Sequence, residues 1–518
     1  MKKQIISYLI EKGVLVSLDL VKILDDDYLR KKINELVINK ASIKEILSTI
    51  PKKKEDITNK SSEKKDQEKN EEQINSIAKV EVLFDYDKEP LKKDVSHFVK
   101  YYNNRYKQIE KILVQRLENN ISIARLTGKN DREQVSVIGM VMEKQLTKTN
   151  KVIVTLEDQT GTIKALFNPN NPDVFKQAKD IVCDETIGVT GTAMNGLLFA
   201  ERIILPEMPV QAEMKKSPDE SYAVFIADTH IGSNLFLEKQ FSTFIEWLKI
   251  KYGDEEQKEI AKKVKYLFIV GDLVAGVGIY PKQEEELVIR DIYKQYDKFI
   301  HYIKQIPDDI NIIITPGNHD GGRLAEPQPR IEKEFLKELY DKPNTFILSN
   351  PARVNIHSNK DFPGFDVLLY HGYSYDYYGD NVESIRMSGR EISDRAEMIS
   401  KFLLQRRHLA PTHQSTLSIP DIENDPLFIE TQPDFFVTGH IHKSAISSYR
   451  GTTIICSSCW EAQTTFQEKF GHEPDLCKVV IVNLKTRKTK ILDFENITVV
   501  NEKIKEEHKC KNSLPAQE

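Results

Sequence analysis

Cysteine is scarce in this chain: five residues in 518, too few and too scattered for a disulfide framework. That scarcity points to a reducing, intracellular compartment. The one close pair, Cys456-x-x-Cys459, has no second such pair and no histidine at zinc-finger spacing, so both thiols read as small core residues at a strand end and are assigned no metal. A surplus of either charge is missing too. Lysine and arginine number 74 against 79 aspartates and glutamates, a formal charge of −5, which excludes a uniformly basic coat and confines any nucleic-acid contact to local patches. No stretch approaches the ~18 uninterrupted apolar residues of a membrane span. The first apolar run is cut by Glu11 before it reaches the length of a secretory segment, so no membrane contact is expected.

What is present is an ordinary globular composition, 40% hydrophobic and 30% charged. The length predicts about three or four domains at roughly 100–200 residues each. Helical periodicity in short pieces, with the capping box Ser42-Ile43-Lys44-Glu45, predicts a small helical domain over 1–50. Residues 51–78 carry almost no apolar side chain and read as a flexible mixed-charge linker. Over 79–132, the spacing of Phe98, Tyr101, Tyr102, Tyr106, Ile109 and Ile112 predicts one amphipathic helix between Val80 and Glu118, leading into the next domain. The period then falls to two. Val135-Val137-Val141, Val152-Val154-Leu156 and Ile163-Ala165-Phe167, with Ile187–Thr190 and Leu197–Ile204, predict an OB-like β-barrel over 133–210. Such barrels bind single strands or serve as packing modules, and the fold alone does not choose. From 220 to 498, short apolar runs separated by helical or irregular stretches suit an α/β sheet layered with helices, and 499–518 reads as a loose tail. The expected fold class is multidomain α+β: an N-terminal helical domain, an OB-like barrel and an α/β domain.

Five apolar strands of the last domain each run into a motif able to hold metal. Val224–Ala227 leads to Asp228-Thr229-His230, Leu267–Val270 to Gly271-Asp272, and Ile312–Ile314 to Gly317-Asn318-His319-Asp320. Val367–Tyr370 leads to His371-Gly372, and Phe435–Thr438 to Gly439-His440-Ile441-His442. In an open α/β sheet the crevice lies beyond the carboxyl ends of the strands, so five such ends can converge on one pocket. Each motif alone is common by chance; the ordered set is not. Mixed carboxylate, amide and imidazole donors suit borderline divalent metals such as Mn²⁺, Fe²⁺ or Zn²⁺ better than an all-oxygen Mg²⁺ or Ca²⁺ site.

The ordered motifs D-x-H, G-D, G-N-H-D, H and G-H-x-H resemble those of the calcineurin-like metallophosphoesterases. The resemblance implies two divalent metal ions, with Mn²⁺ the expected species and Fe²⁺ or Zn²⁺ the alternatives. Asp228, His230 and His442 would hold the first, Asn318, His371 and His440 the second, and Asp272 would bridge them. His319 matches the family's acid beside the metals, with Asp320 placed to orient its ring. The segments Gly276–Pro281, Glu326-Pro327-Gln328-Pro329, His371–Asp376 and Arg406–Pro411 narrow the resemblance to the small subunits of archaeal family D DNA polymerases, across most of 80–485. That implies a 3′→5′ exonuclease acting on a DNA primer 3′ end, partnered by a large catalytic subunit, inside the cell at the nucleoid. It also leaves open a non-catalytic assembly subunit, or a phosphoesterase acting on a non-DNA ester. Ala275 stands where the family commonly has a second aspartate, which removes a side-chain acceptor near the metals but no proposed ligand.

Around these motifs, Arg406 and Arg407 are expected either to contact DNA phosphates or to end a solvated helix. Tyr280, Tyr373 and Tyr375 could stack on an unpaired base or pack. Arg323 is expected to clamp a substrate phosphate or to pair with Glu326.

Overall fold

The computed structural model describes residues 79–88, 92–126, 132–210, 213–389, 392–469 and 472–495. The helical domain expected at 1–50, the linker at 51–78 and the tail at 499–518 lie outside the described residues.

A strand, β1 (Val80–Asp85), comes first, in a stretch expected to be helical. Its alternation of Val80, Val82 and Phe84 was the available signal, and the strand belongs to the last domain, where it pairs antiparallel with a strand some 270 residues downstream. The amphipathic helix follows at Val95–Val114, capped by Asp94, whose carboxylate accepts from the Ser96 N–H at 2.8 Å. It buries Tyr101, Arg105, Tyr106, Ile109 and Leu113.

Next, β2 (Glu133–Leu146), β3 (Val152–Asp158), β4 (Gly161–Phe167), β5 (Thr186–Met194) and β6 (Leu197–Ile204) close a barrel in the order β2-β3-β4-β6-β5. The period-two apolar positions explain the closure. Val135, Val137, Val141, Val154, Leu156, Ala165, Phe167, Val189 and Leu198 all point inward to fill it. On the outer side of β2, Ile138 packs against Tyr106, Ile109 and Leu113 of the preceding helix.

The last domain is built on two sheets where a single α/β sheet was expected. The first holds β7 (Tyr222–Ile226), β8 (Val264–Val270), β9 (Asn311–Thr315) and β10 (Thr345–Ile347) as a parallel run. The second holds β11 (Ala352–Ile356), β12 (Phe365–Leu369), β13 (Phe435–Thr438), β14 (Ala445–Tyr449) and β15 (Thr452–Cys456), with β1 on its edge. Finally β16 (Lys478–Asn483) and β17 (Thr489–Asp493) extend the first sheet antiparallel beside β7. The strands are apolar on both faces, so each face needs cover. In β7 and β8, Val224, Ile226, Leu267 and Ile269 meet the helices Glu238–Leu248 and Ile292–Ile303 on one side. Phe225, Phe268 and Val270 on the other side meet Val367, Leu369, Phe435 and Val437 of the second sheet. The outer face of the second sheet, with Leu368, Phe436 and Ile454, is covered by the helices Tyr375–Asn381 and Ile392–Arg406. Cys456 and Cys459 are both buried at the end of β15, as the core reading expected.

Candidate metal centre

The five motif-bearing strands are β7, β8, β9, β12 and β13, three in one sheet and two in the other. The chain turns sharply as it leaves them. Asp228, His230, Asp272, His440 and His442 all have positive φ, between 45° and 69°. Five non-glycine residues in the left-handed region at one spot is the kind of backbone strain that clusters at functional sites. The motif glycines are dictated by crowding. A Cβ on Gly271 would stand 2.2 Å from the His371 Nδ1, and one on Gly317 would stand 2.2 Å from the Asp272 Oδ1. Neither position admits a side chain.

The expected ligand residues come together. Asp228, His230 and His442 offer donor atoms that all lie within 4.8 Å of one another, and so do Asp272, His371 and His440. His442 Nε2 is 3.5 Å from Asp228 Oδ1 and 3.0 Å from His230 Nε2. Asp272 Oδ2 is 3.8 Å from His230 Nε2 and 3.3 Å from His371 Nε2, between the two groups as a bridging carboxylate must be. Asn318 Oδ1 lies 3.1 Å from the same His371 nitrogen. Buried imidazole nitrogens meeting face to face beside two buried carboxylates form a donor set suited to divalent cations, which bind neutral imidazole and ionised carboxylate.

Hydrogen bonds behind these rings fix which nitrogen faces inward. His371 Nδ1–H donates to the Val270 carbonyl at 2.9 Å, which leaves Nε2 for the centre. His440 Nε2 lies 3.1 Å from Asp376 Oδ2, which leaves Nδ1. Gln467 Nε2 stands 2.8 Å from His442 Nδ1, while the Gln467 Oε1 accepts from the Thr464 N–H. Asp376 and Gln467 were missed by the sequence reading. The first lies in the His371–Asp376 segment, and the second completes a Thr464-x-x-Gln467 capping box, a pattern visible in the sequence.

Charge is balanced locally. Burial works against the Asp272 carboxylate, but the imidazoles of His371 and His319 outweigh it and hold its pKa well below the usual range. Burial, reinforced by the neighbouring His319, pushes His230 well down, so that ring stays neutral.

His319 sits at the centre, and Asp320 does not orient its ring. His319 Nδ1–H donates to the Ala275 carbonyl at 2.9 Å, its backbone N–H donates to Asp272 Oδ1 at 2.8 Å, and its Nε2 is 3.9 Å from Asp272 Oδ2. Ala275 therefore serves through its main chain, which its missing carboxylate does not affect. Asp320 turns away and accepts from Gly317 N–H at 2.9 Å, Leu273 N–H at 3.2 Å and Tyr296 O–H at 3.1 Å. Burial, with the charge of Asp272, pushes its pKa up to about 7.

The centre opens into a cavity of about 430 Å³. Tyr280 and Tyr373 line it, their rings 6.5 Å from His319 and 5.7 Å from His440. Tyr375 borders it too, but is fully buried, with its hydroxyl 2.8 Å from Ser400 Oγ. The arginines find protein partners. Arg323 donates to the Ala325 and Pro327 carbonyls of its own loop and does not line the metal cavity, while Glu326 accepts from Tyr370 O–H at 3.1 Å. Arg406 and Arg407 are buried. Arg406 Nε is 2.7 Å from Glu185 Oε2 of the barrel, and Arg407 donates to the Glu430 carbonyl at 2.8 Å. Their partners are protein, and neither lines the metal cavity.

Comparison with known proteins agrees with this geometry. Residues 223–444 match the calcineurin-like phosphoesterase family, and residues 135–198 match an OB-fold nucleic acid binding domain. The chain is 38% identical over 403 residues to the DNA polymerase II small subunit of Methanothermobacter thermautotrophicus, covering 77% of this chain and 80% of that one. It is 40% identical over 381 residues to the subunit of the same name from Archaeoglobus fulgidus, with 74% of each chain covered. For the Halobacterium salinarum subunit the figures are 35% over 393 residues, 75% and 73%.

Proposed function

The chain belongs to the family of DNA polymerase II small subunits, and from that membership we propose that its metal centre is a 3′→5′ exonuclease removing mispaired nucleotides from a primer end. A separate large subunit would hold the polymerase site. The observation that carries the reading is the convergence of Asp228, His230, Asp272, Asn318, His371, His440 and His442 around one centre that opens into a cavity, with His319 beside the Asp272 carboxylate. A chain kept only for assembly has no physical need for that donor set or for the strained turns that present it.

Asp228, His230 and His442 would hold one divalent ion and Asn318, His371 and His440 the other, with Asp272 shared. Bound there, the ions would supply Lewis acidity and a nucleophile at neutral pH. Mn²⁺ fits the mixed nitrogen and oxygen donors. The protein's own part is positioning and proton delivery. The Val270 carbonyl and Asp376 orient the imidazoles they touch. His319, its Nδ1–H tied to the Ala275 carbonyl, presents Nε2 to the cavity, where it would stabilise or protonate the leaving 3′ oxygen.

The test is degradation of a 5′-labelled, 3′-mispaired primer–template by the purified chain with Mn²⁺, beside Asp272→Ala prepared identically. A ladder shortening from the 3′ end in the unmutated chain alone is expected. No ladder from the unmutated chain, with or without the large subunit, would overturn the reading.

A further inference from the structure

We propose that Arg395 binds a phosphate of the substrate strand next to the one at the metal centre; the inference rests on the nuclease reading and deepens it. Arg395 lies on the helix Ile392–Arg406 and lines the metal cavity. Among the described residues it is the one lysine or arginine that does so. The other charged walls are acidic: Asp272, Glu286, Asp376, Asp380 and Glu461. A polyanion entering such a cavity needs a cation beyond the metal centre, and the chain provides one.

The guanidinium is also uncommitted. Its Nε is buried and has no hydrogen-bond partner, and among the described residues no carboxylate pairs with it. The Nε atoms of Arg406, Arg407 and Arg487 lack a hydrogen bond too, but each of those guanidiniums has another protein partner. Arg105 donates to Asp425, Tyr101 and the Pro411 carbonyl, and Arg353 donates two hydrogen bonds to Asp366. A buried donor left unpaired is costly unless a ligand satisfies it, and a planar fork of N–H groups matches phosphate oxygens.

Its place in the fold selects the neighbouring phosphate. One turn along the same helix, Ile399 Cδ1 lies 3.8 Å from where a Cβ on Gly379 would be, so this helix packs against Tyr375–Asn381. That second helix carries Asp376, which holds His440. Arg395 therefore belongs to the wall of the cavity that these two helices form, the wall that also carries Asp376. A strand passing over His440 would offer it the next phosphate.

The experiment measures binding of a labelled single-stranded oligonucleotide by fluorescence anisotropy across a salt series, for the full chain, Arg395→Gln and Arg395→Lys. Binding of a 5′-mononucleotide, which has one phosphate, is measured in parallel by competition. Manganese content and thermal midpoint, unchanged in all three, report an intact fold. Arg395→Gln should weaken strand binding about tenfold and flatten the slope of log K against log salt by about 0.7, one phosphate contact on a single strand. Mononucleotide affinity should move less than about twofold, and Arg395→Lys should lie between. Unchanged strand affinity and slope, equal losses for strand and mononucleotide, or no strand binding by the unmutated chain would each overturn the proposal. Should the unmutated chain bind the strand and never shorten it, the nuclease reading fails while the affinity comparison still decides on Arg395.

Discussion

His319 and Asp320 are adjacent in sequence and have separate partners, which makes the roles proposed for them testable. His319 holds Asp272 through its backbone and presents its ring to the cavity, so His319→Ala removes the proposed acid and leaves the proposed ligands in place. Turnover should fall by about 10²–10⁴-fold, with metal content by elemental analysis near that of the parent. Asp272→Ala should lose metal and turnover together, and equal metal loss in both variants would contradict the division of roles. Glu326, fully buried just after the same motif, gives a pH signature. Burial pushes its carboxyl up to about 7. Folded protein therefore holds this proton more tightly than unfolded chain, so stability is greatest below about pH 4.5 and falls as pH rises towards 7. The fall is on the order of 3 kcal/mol from this one group. Glu326→Gln, which cannot ionise, should be the more stable form at pH 8 and should flatten the slope of urea-unfolding free energy between pH 5 and 7; an unchanged slope would place the proton elsewhere.

At the scale of elements, the proposed ligands were legible because each follows within about four residues of the point at which an apolar run stops, and a strand end is a local signal. The pairing of two sheets was not, since an apolar run buried on both faces reads the same whether a helix or a second sheet lies against it. Strand β1 shows the same limit: a short alternating stretch far in sequence from its partner β11 carries no hint of which sheet it joins. The helix Val95–Val114 was legible as amphipathic, but Arg105 on its buried face broke the apolar pattern and only its partners explain it. Asp425 Oδ2 receives Arg105 Nε at 2.7 Å and His408 Nε2–H at 2.9 Å, while Asp425 Oδ1 accepts from Tyr101 O–H at 3.1 Å. Burial disfavours the Asp425 carboxylate, yet Arg105 and His408 hold its pKa well below the usual range. Removing one partner leaves a buried charge uncompensated, so Arg105→Leu should cost about 3–5 kcal/mol in urea unfolding. The double variant Arg105→Leu/Asp425→Leu should recover much of that loss, and no recovery would mean that Arg105 acts by packing alone.

For the whole molecule, the Arg406–Pro411 segment turns out to be the seam between barrel and phosphoesterase domain, where DNA contact was one expectation. Arg406 meets Glu185 and donates to the Asp180 carbonyl at 3.2 Å, both on the barrel side, while its guanidinium lies 3.4 Å from the Phe402 ring centroid. Nearby, Lys179 pairs with Glu383 at 2.8 Å, and Tyr449 O–H donates to Glu207 at 2.5 Å. Apart from the Phe402 contact, these join groups more than 200 residues apart, which is why two adjacent arginines in the sequence could be read as a DNA patch. An open cavity of about 960 Å³ lies beside Arg406, between barrel residues such as Lys176 and Ile203 and the helix residues Met398 and Phe402. Arg406→Gln should therefore speed hydrogen exchange of barrel amides in β5 and the Asp180–Glu185 turn, because Glu185 loses its cation in a buried site. Oligonucleotide affinity should stay within about twofold of the parent, since the side chain does not reach the metal cavity and contributes no phosphate contact to the salt slope. The opposite pattern, a tenfold loss of DNA affinity with barrel exchange unchanged, would return Arg406 to the nucleic-acid surface and make the barrel's attachment depend on the remaining pairs.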